Sequence, residues 1–331
     1  ENKLSMHVMY ARDGVHPEYR SEAVLLDGSL KDLPEQQRKW EQAQTAATGA
    51  ACAESTESVR MTLLTGAKKL ARDLAVLVYL VGAGPGDTRL FTEKGLDCVR
   101  RADVIVYDNL ISGSILNEAR LDAELIYAGK RSGSHHMKQE EISALLVKKA
   151  LEGYSVVRLK GGDPFIFGRG GEEALELSKM DIPFEIVPGV SSSYSVPAYA
   201  GIPVTHRGMA SSFHVITGHE DGNKTSSALD YQTLAKEEGT LVFLMGLKNL
   251  DKIADNLIAN GKDPAAVLER GTTAAQRSVR ADLAHIAEAA EKAGLRTPAI
   301  SVIGPVVELK DTLSWFGRGV LSGRRIMVTG T

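Results

Sequence analysis

From residue 76 onward, short apolar runs alternate with stretches of helical spacing. The runs 78–81, 104–107, 124–128 and 155–159 have the length of buried strands. The intervening segments 96–99 and 115–119 carry apolar residues between polar ones, and 139–151 reads as a helix closed by Gly153, with another helix near 172–179. This rhythm predicts an α/β unit with four or more parallel strands. Pro188-Gly189, the run 191–200 and the Gly201-Ile202-Pro203 turn then read as a passage into a second α/β unit, with a boundary at 190. The pattern there predicts strands at 213–217, 240–245, 265–269, 278–281 and 299–303, and helices at 250–259 and 283–293.

The first 75 residues are different. Alternation in 7–10 and 22–26 predicts one or two strands, 31–56 reads as a linker or surface helix, and Leu63, Leu64, Ala67, Leu70 and Leu74 recur near helical spacing. The chain opens on Glu1 and stops at Thr331 just after the strand-like run 325–328, so a piece of a longer protein is expected.

Length and composition narrow the class. A chain of 331 residues, 43% hydrophobic, can build about two cored domains. A net charge of −3 leaves no overall basic field to hold nucleic acid or an anionic membrane, so an anionic ligand needs a local cationic cluster. The longest apolar stretch, 74–84, is about half a membrane span and reads as a buried strand. Cys52 and Cys98 are the only cysteines, which points away from a disulfide framework and from a thiolate metal site and suits a reducing cytosol.

Candidate chemistry sits where the predicted strands end. Gly82-Ala83-Gly84-Pro85-Gly86-Asp87 is a turn whose glycines let backbone approach a ligand. It reads either as a cofactor loop or as a plain tight turn: Asp108 stands near the place of a dinucleotide-binding acid, but the third glycine of that fingerprint is replaced by Asp87, and Pro85 removes an N–H. The segment 158–173, RLKGGDPFIFGRGGEE, places glycines and the cations Arg158, Lys160 and Arg169 directly after a strand, a composition suited to a bulky ligand bearing carboxylates. Gly129-Lys130-Arg131-Ser132-Gly133 also suggests carboxylate binding, and the neighbouring His135 and His136 lack partners at metal-ligand spacing, so no metal is expected. Thr205-His206-Arg207, Thr217-Gly218-His219 and Met245-Gly246 complete the set.

Over residues 78–316 the chain resembles the uroporphyrinogen-III C-methyltransferases of the tetrapyrrole methylase family, through VGAGPGD at 81–87, VYDNL at 106–110, GKRSG at 129–133, RLKGGDPFIFGRGGEE at 158–173 and GIPVTHR at 201–207. The resemblance implies a two-domain α/β tetrapyrrole methylase fold with the active site in the inter-domain cleft, and a cytoplasmic homodimer. It implies S-adenosylmethionine as cofactor, S-adenosylhomocysteine as its product, and uroporphyrinogen III as substrate, methylated at carbons 2 and 7 to precorrin-2 by way of precorrin-1, on the route to siroheme and cobalamin. Carried over by position, the cofactor contacts are Pro85, Gly161, Gly162, Asp163, Ile166, Ser191, Ser192, Met245 and Gly271, with serines standing where the family commonly has Thr-Ala. Asp108 takes the place of the family's base and Lys130 of its acid, with Arg131 beside it. Because a porphyrinogen carries eight carboxylates, Arg158, Lys160, Arg169, His206 and Arg207 are expected to bind substrate. Residues 323–329 resemble the opening strand of uroporphyrinogen-III synthase, and residues 1–75 faintly resemble the closing domain of hydroxymethylbilane synthase, which would make this the middle of a fused pathway enzyme. A nicotinamide-dependent oxidoreductase and a tetrapyrrole carrier without chemistry are the competing readings.

Overall fold

The computed structural model describes residues 78–129, 137–218, 229–258 and 262–320, with the backbone of the short strands at 5–7 and 24–26. The expected helix at 61–74, Lys130, Arg131, His135, His136, His219 and the run 325–328 lie outside the described residues. The chain forms two units, 1–75 and 76–331. In the first, β1 (Ser5–His7) pairs antiparallel with β2 (Val24–Leu26).

The second unit holds two five-stranded sheets. The first consists of β3 (Val78–Gly82), β4 (Val104–Tyr107), β5 (Glu124–Tyr127), β6 (Val156–Lys160) and β7 (Phe184–Val187), in the order β5-β4-β6-β3-β7 with every pairing parallel. Every residue of the central strand β6 is buried, as a parallel strand covered on both faces requires. On one face α1 (Glu93–Arg101) and α2 (Gly113–Leu116) cover Val81, Ile105 and Leu159 with Val99 and Ile115. On the other, α3 (Gln139–Leu151) and α4 (Gly170–Lys179) bring Leu146 and Leu177 onto Leu80, Val104 and Val156.

Helix α5 (Ser192–Tyr199) leads to the second sheet. Its strands β8 (Phe213–Thr217), β9 (Thr240–Leu244), β10 (Ala265–Glu269), β11 (Arg277–Ala281) and β12 (Ala299–Ile303) lie in the order β11-β10-β12-β9-β8. Only β8 and β9 pair in parallel; β12 runs against both β9 and β10, and β11 against β10. After the short α6 (Tyr231–Lys236) comes α7 (Leu250–Ile258), which buries Leu250, Ile253, Ala254 and Leu257, the stripe of an amphipathic helix. That stripe packs with Leu283 and with Ile286 of α8 (Ile286–Lys292) on Leu241, Phe243 and Val267. The opposite face takes Val196 of α5, Val306 and Val307 onto Val242, Leu268 and Val302.

Two elements differ from the pattern reading. Residues 184–187 form a strand that was not expected, because it is short, half-buried and flanked by Pro183 and Pro188. Residues 192–199 form a helix where only a connection was anticipated; serines and an internal Pro197 weaken a helical signal that burial then overrides.

Because the first sheet is parallel, the ends of its five strands all face one edge, and the loops after Gly82, Tyr107, Tyr127, Lys160 and Val187 emerge there. Two outcomes are expected. Phe243→Ala, at a fully buried side chain, costs about 3–5 kcal/mol in urea unfolding. The Cys98 thiol, pushed up to about 11 by burial, alkylates slowly at neutral pH in the native protein and at an ordinary rate in denaturant, as peptide mass spectrometry will follow.

Candidate active site

Three loops meet backbone to backbone at the edge of the first sheet. The Ala83 amide donates to the Lys160 carbonyl (2.7 Å), and Gly84 and Gly162 exchange two hydrogen bonds of 3.1 and 2.8 Å. A Cβ on Gly82 would stand 2.6 Å from the Gly162 carbonyl and from the Gly189 amide, and one on Gly189 would reach that carbonyl at 2.2 Å. Only glycine permits this approach. Asp163 ties the same loops from its side chain: Oδ1 accepts from the Phe165 amide (2.8 Å) and Oδ2 from the Gly189 amide (3.0 Å).

The second sheet's loops join this cluster. The Asp87 amide donates to Thr272 Oγ1 at 3.0 Å, a Cβ on Gly86 would stand 2.7 Å from Thr273, and one on Gly271 would strike Val196 at 2.2 Å. The Asp87 carboxylate is held low by hydrogen bonds from Arg89 and also accepts from the Tyr199 hydroxyl at 2.9 Å. Ser191 is buried and caps α5: its Oγ accepts from the Ser193 amide and its carbonyl from Ser195 Oγ (2.7 Å). The Ser192 amide is the nearest atom to the Cβ position of Gly162, at 4.0 Å, so the backbone there is otherwise uncovered.

The structure therefore brings Pro85, Gly161, Gly162, Asp163, Ser191, Ser192 and Gly271 onto one connected set of loops. Met245 and Gly271 follow the ends of β9 and β10, which run the same way on either side of β12, so they emerge at one edge of the sheet with one strand between them. Met245 has a left-handed backbone (φ 58°) and remains 49% exposed. Ile166 is exposed between Phe165 and Phe167, on a loop in which Phe167 and Arg169 are also left-handed. Open glycine backbone beside exposed apolar side chains fits a cofactor of mixed polar and apolar surface.

Asp108 stands at the end of β4, partly exposed, its Oδ1 accepting from the Leu110 amide (2.9 Å). The cations differ from expectation. Arg158 and Lys160, expected at substrate carboxylates, are both buried, at 4% exposure. They alternate with Leu159 on β6 and so point under α3 and α4, where Arg158 Nε (3.1 Å) and Lys160 Nζ (2.8 Å) both donate to Oε1 of the fully buried Glu173. Burial lowers the Lys160 ammonium's pKa. Arg169 is exposed but forked onto Glu172, at 2.6 and 2.8 Å. His206 and Arg207 are exposed on a turn closed by hydrogen bonds between His206 and Ala210. Among the described residues no cluster of His, Cys, Asp or Glu could hold a metal ion, and no helix is long and apolar enough to cross a membrane.

Sequence reasoning missed Glu173, Gln139 and Thr272. Glu173 was visible within the Gly-rich motif, but nothing local separates it from the exposed Glu172.

Residues 77–287 match the family described as tetrapyrrole (corrin/porphyrin) methylases. The chain belongs to this family. It is 52% identical over 239 residues to a uroporphyrinogen-III C-methyltransferase of Methanocaldococcus jannaschii, covering 71% of this chain and 98% of the relative. It is 49% identical over 255 residues to the Bacillus subtilis uroporphyrinogen-III C-methyltransferase, covering 76% of this chain and 53% of that longer protein. Among solved structures, uroporphyrin-III C-methyltransferase of Thermus thermophilus complexed with S-adenosylhomocysteine aligns with a TM-score of 0.60 at 42% identity, over 70% of this chain and 99% of that one. A cobalt precorrin-4 methyltransferase aligns with a TM-score of 0.62 at 27% identity, over 70% and 95%. The methylase fold expected from the motifs is the fold observed.

Gly189→Ala is expected to lower stability by about 1–3 kcal/mol, since the added carbon meets backbone that cannot yield. Gly171→Ala, which meets nothing within 4 Å, is expected to be neutral or slightly stabilising; urea unfolding of both variants checks the contrast.

Proposed function

We propose that residues 76–316 transfer methyl groups from S-adenosylmethionine to carbons 2 and 7 of uroporphyrinogen III, giving precorrin-2 by way of precorrin-1. The observation that carries this is the convergence of strand-end loops from both sheets, 82–87, 161–163, 189–192 and 271–272, in a member of a methylase family. The relatives named for this reaction, and the Thermus structure holding S-adenosylhomocysteine, support it.

When bound, the cofactor supplies a methyl group on a sulfonium. Pro85, Gly161, Gly162, Asp163, Ile166, Ser191, Ser192, Met245 and Gly271 would hold it in the cleft between the 76–190 and 191–316 domains, chiefly through backbone groups and the exposed Ile166 and Met245 side chains. The pyrrole carbon is the nucleophile, so the chain's work is to align substrate with the methyl and to take a proton afterwards. Asp108 is the base, standing at the strand edge with one carboxylate oxygen anchored by the Leu110 amide; Lys130 and Arg131 are the acid and its cationic neighbour. Arg169, His206 and Arg207 meet substrate carboxylates, with Arg169 leaving Glu172 to do so. The family likeness supports work as a cytoplasmic homodimer, and the separate resemblances at 1–75 and 323–329 support neighbouring pathway domains on either side.

Incubated anaerobically with S-adenosylmethionine and uroporphyrinogen III, the protein yields an oxidised product heavier by two methyl groups in mass spectrometry. Unchanged substrate would refute the assignment. Asp108→Asn slows transfer about 10²–10⁴-fold while S-adenosylhomocysteine still binds in calorimetry; a fully active variant would remove Asp108 from the mechanism.

A further inference from the structure

One carboxylate beneath the site is used more heavily than any packing role requires. Glu173 is completely buried in the first turn of α4, and its Oε1 accepts from Arg158 Nε (3.1 Å), Lys160 Nζ (2.8 Å) and Gln139 Nε2 (3.0 Å), the last from the start of α3. Its Oε2 has no hydrogen-bond partner among the described residues. Arg158 reaches onward: Nη1 donates to the carbonyls of Leu159 (3.0 Å) and of Val106 on β4 (3.3 Å), and Nη2 stands 3.8 Å from Asp108 Oδ2. Two cations and two carboxylates thus balance in a buried row, with Asp108 at its open end.

The distances are unequal. Arg158 hydrogen-bonds Glu173 but stops short of a hydrogen bond to Asp108. A guanidinium can fork two carboxylates, and a buried one left without its counter-ion seeks the nearest other anion. Here that anion is Asp108. Glu173 also takes up the Lys160 charge, which would otherwise add to the pull.

We propose that Glu173 is a positioning residue for the methyl-transfer reaction: it holds Arg158 and Lys160 back so that Asp108 keeps an oxygen free to accept the proton. The inference rests on the reading of Asp108 as the base. Glu172, one residue earlier and exposed, cannot substitute, because its carboxylate lies on the solvent side with Arg169.

The test compares Glu173→Gln with the double variant Glu173→Gln, Lys160→Met in the full chain. Glu173→Gln leaves an excess buried cation and lowers both Tm and kcat. The double variant restores charge balance, so Tm recovers, yet Arg158 then closes on Asp108 and kcat stays at least 10-fold below wild type with KM for S-adenosylmethionine unchanged. Recovery of kcat together with Tm would overturn the positioning role. If the Gln variants do not fold, Arg158→Lys serves: it keeps the charge but leaves the Leu159 and Val106 carbonyls without their donor, so Tm falls, while a lysine held by Glu173 does not reach Asp108 and kcat, measured at a temperature where the variant is folded, drops less than 10-fold; a larger drop would overturn the proposal. A wild-type chain that transfers no methyl sinks the functional reading itself, whereas full activity of Asp108→Asn beside a slow double variant overturns only the link from Glu173 to Asp108.

Discussion

The close passage of Gly82, Gly162 and Gly189 is the contact on which the site depends. At a Cβ distance of 2.2 Å from Gly189 to the Gly162 carbonyl, no other residue type fits without moving a strand end. With the three backbones in register, Gly84 and Gly162 can bond to each other and Asp163 can reach the Gly189 amide. The loop after β7 then delivers Ser191 and Ser192 beside Gly162, and α5 carries the chain directly into the second sheet. One cluster of glycines thus places residues from three strand ends, and through α5 and Gly271 it ties the parallel sheet to the mixed one.

Electrostatics follows the pleat of the sheet more than it follows charge content. Strand β6 alternates faces, so Arg158 and Lys160 fall on the side covered by α3 and α4, and burial there demands a counter-ion that Glu173 supplies. The arginines that stand at the surface, Arg169 and Arg207, come from a loop and a turn instead. Positive charge is therefore of two kinds: an inner pair balanced by a buried carboxylate, and outer arginines at the surface.

The amino-acid sequence by itself determined the α/β class, nine of the ten strands of the two large sheets, the long helices and the glycine-rich loops at the strand ends, because periodicity and glycine placement are local properties that survive without knowledge of neighbours. It also carried the family, since the motifs at 81–87, 158–173 and 201–207 are contiguous in the chain. Tertiary structure alone decided which groups are buried and whom they face. That Glu173 and Glu172 are opposite in role, that Arg158 points inward toward Asp108's strand, that a proline-bearing run of serines is helical and that 184–187 completes a sheet all depend on partners distant in sequence, and a side chain's charge state, reach and freedom are set by those partners.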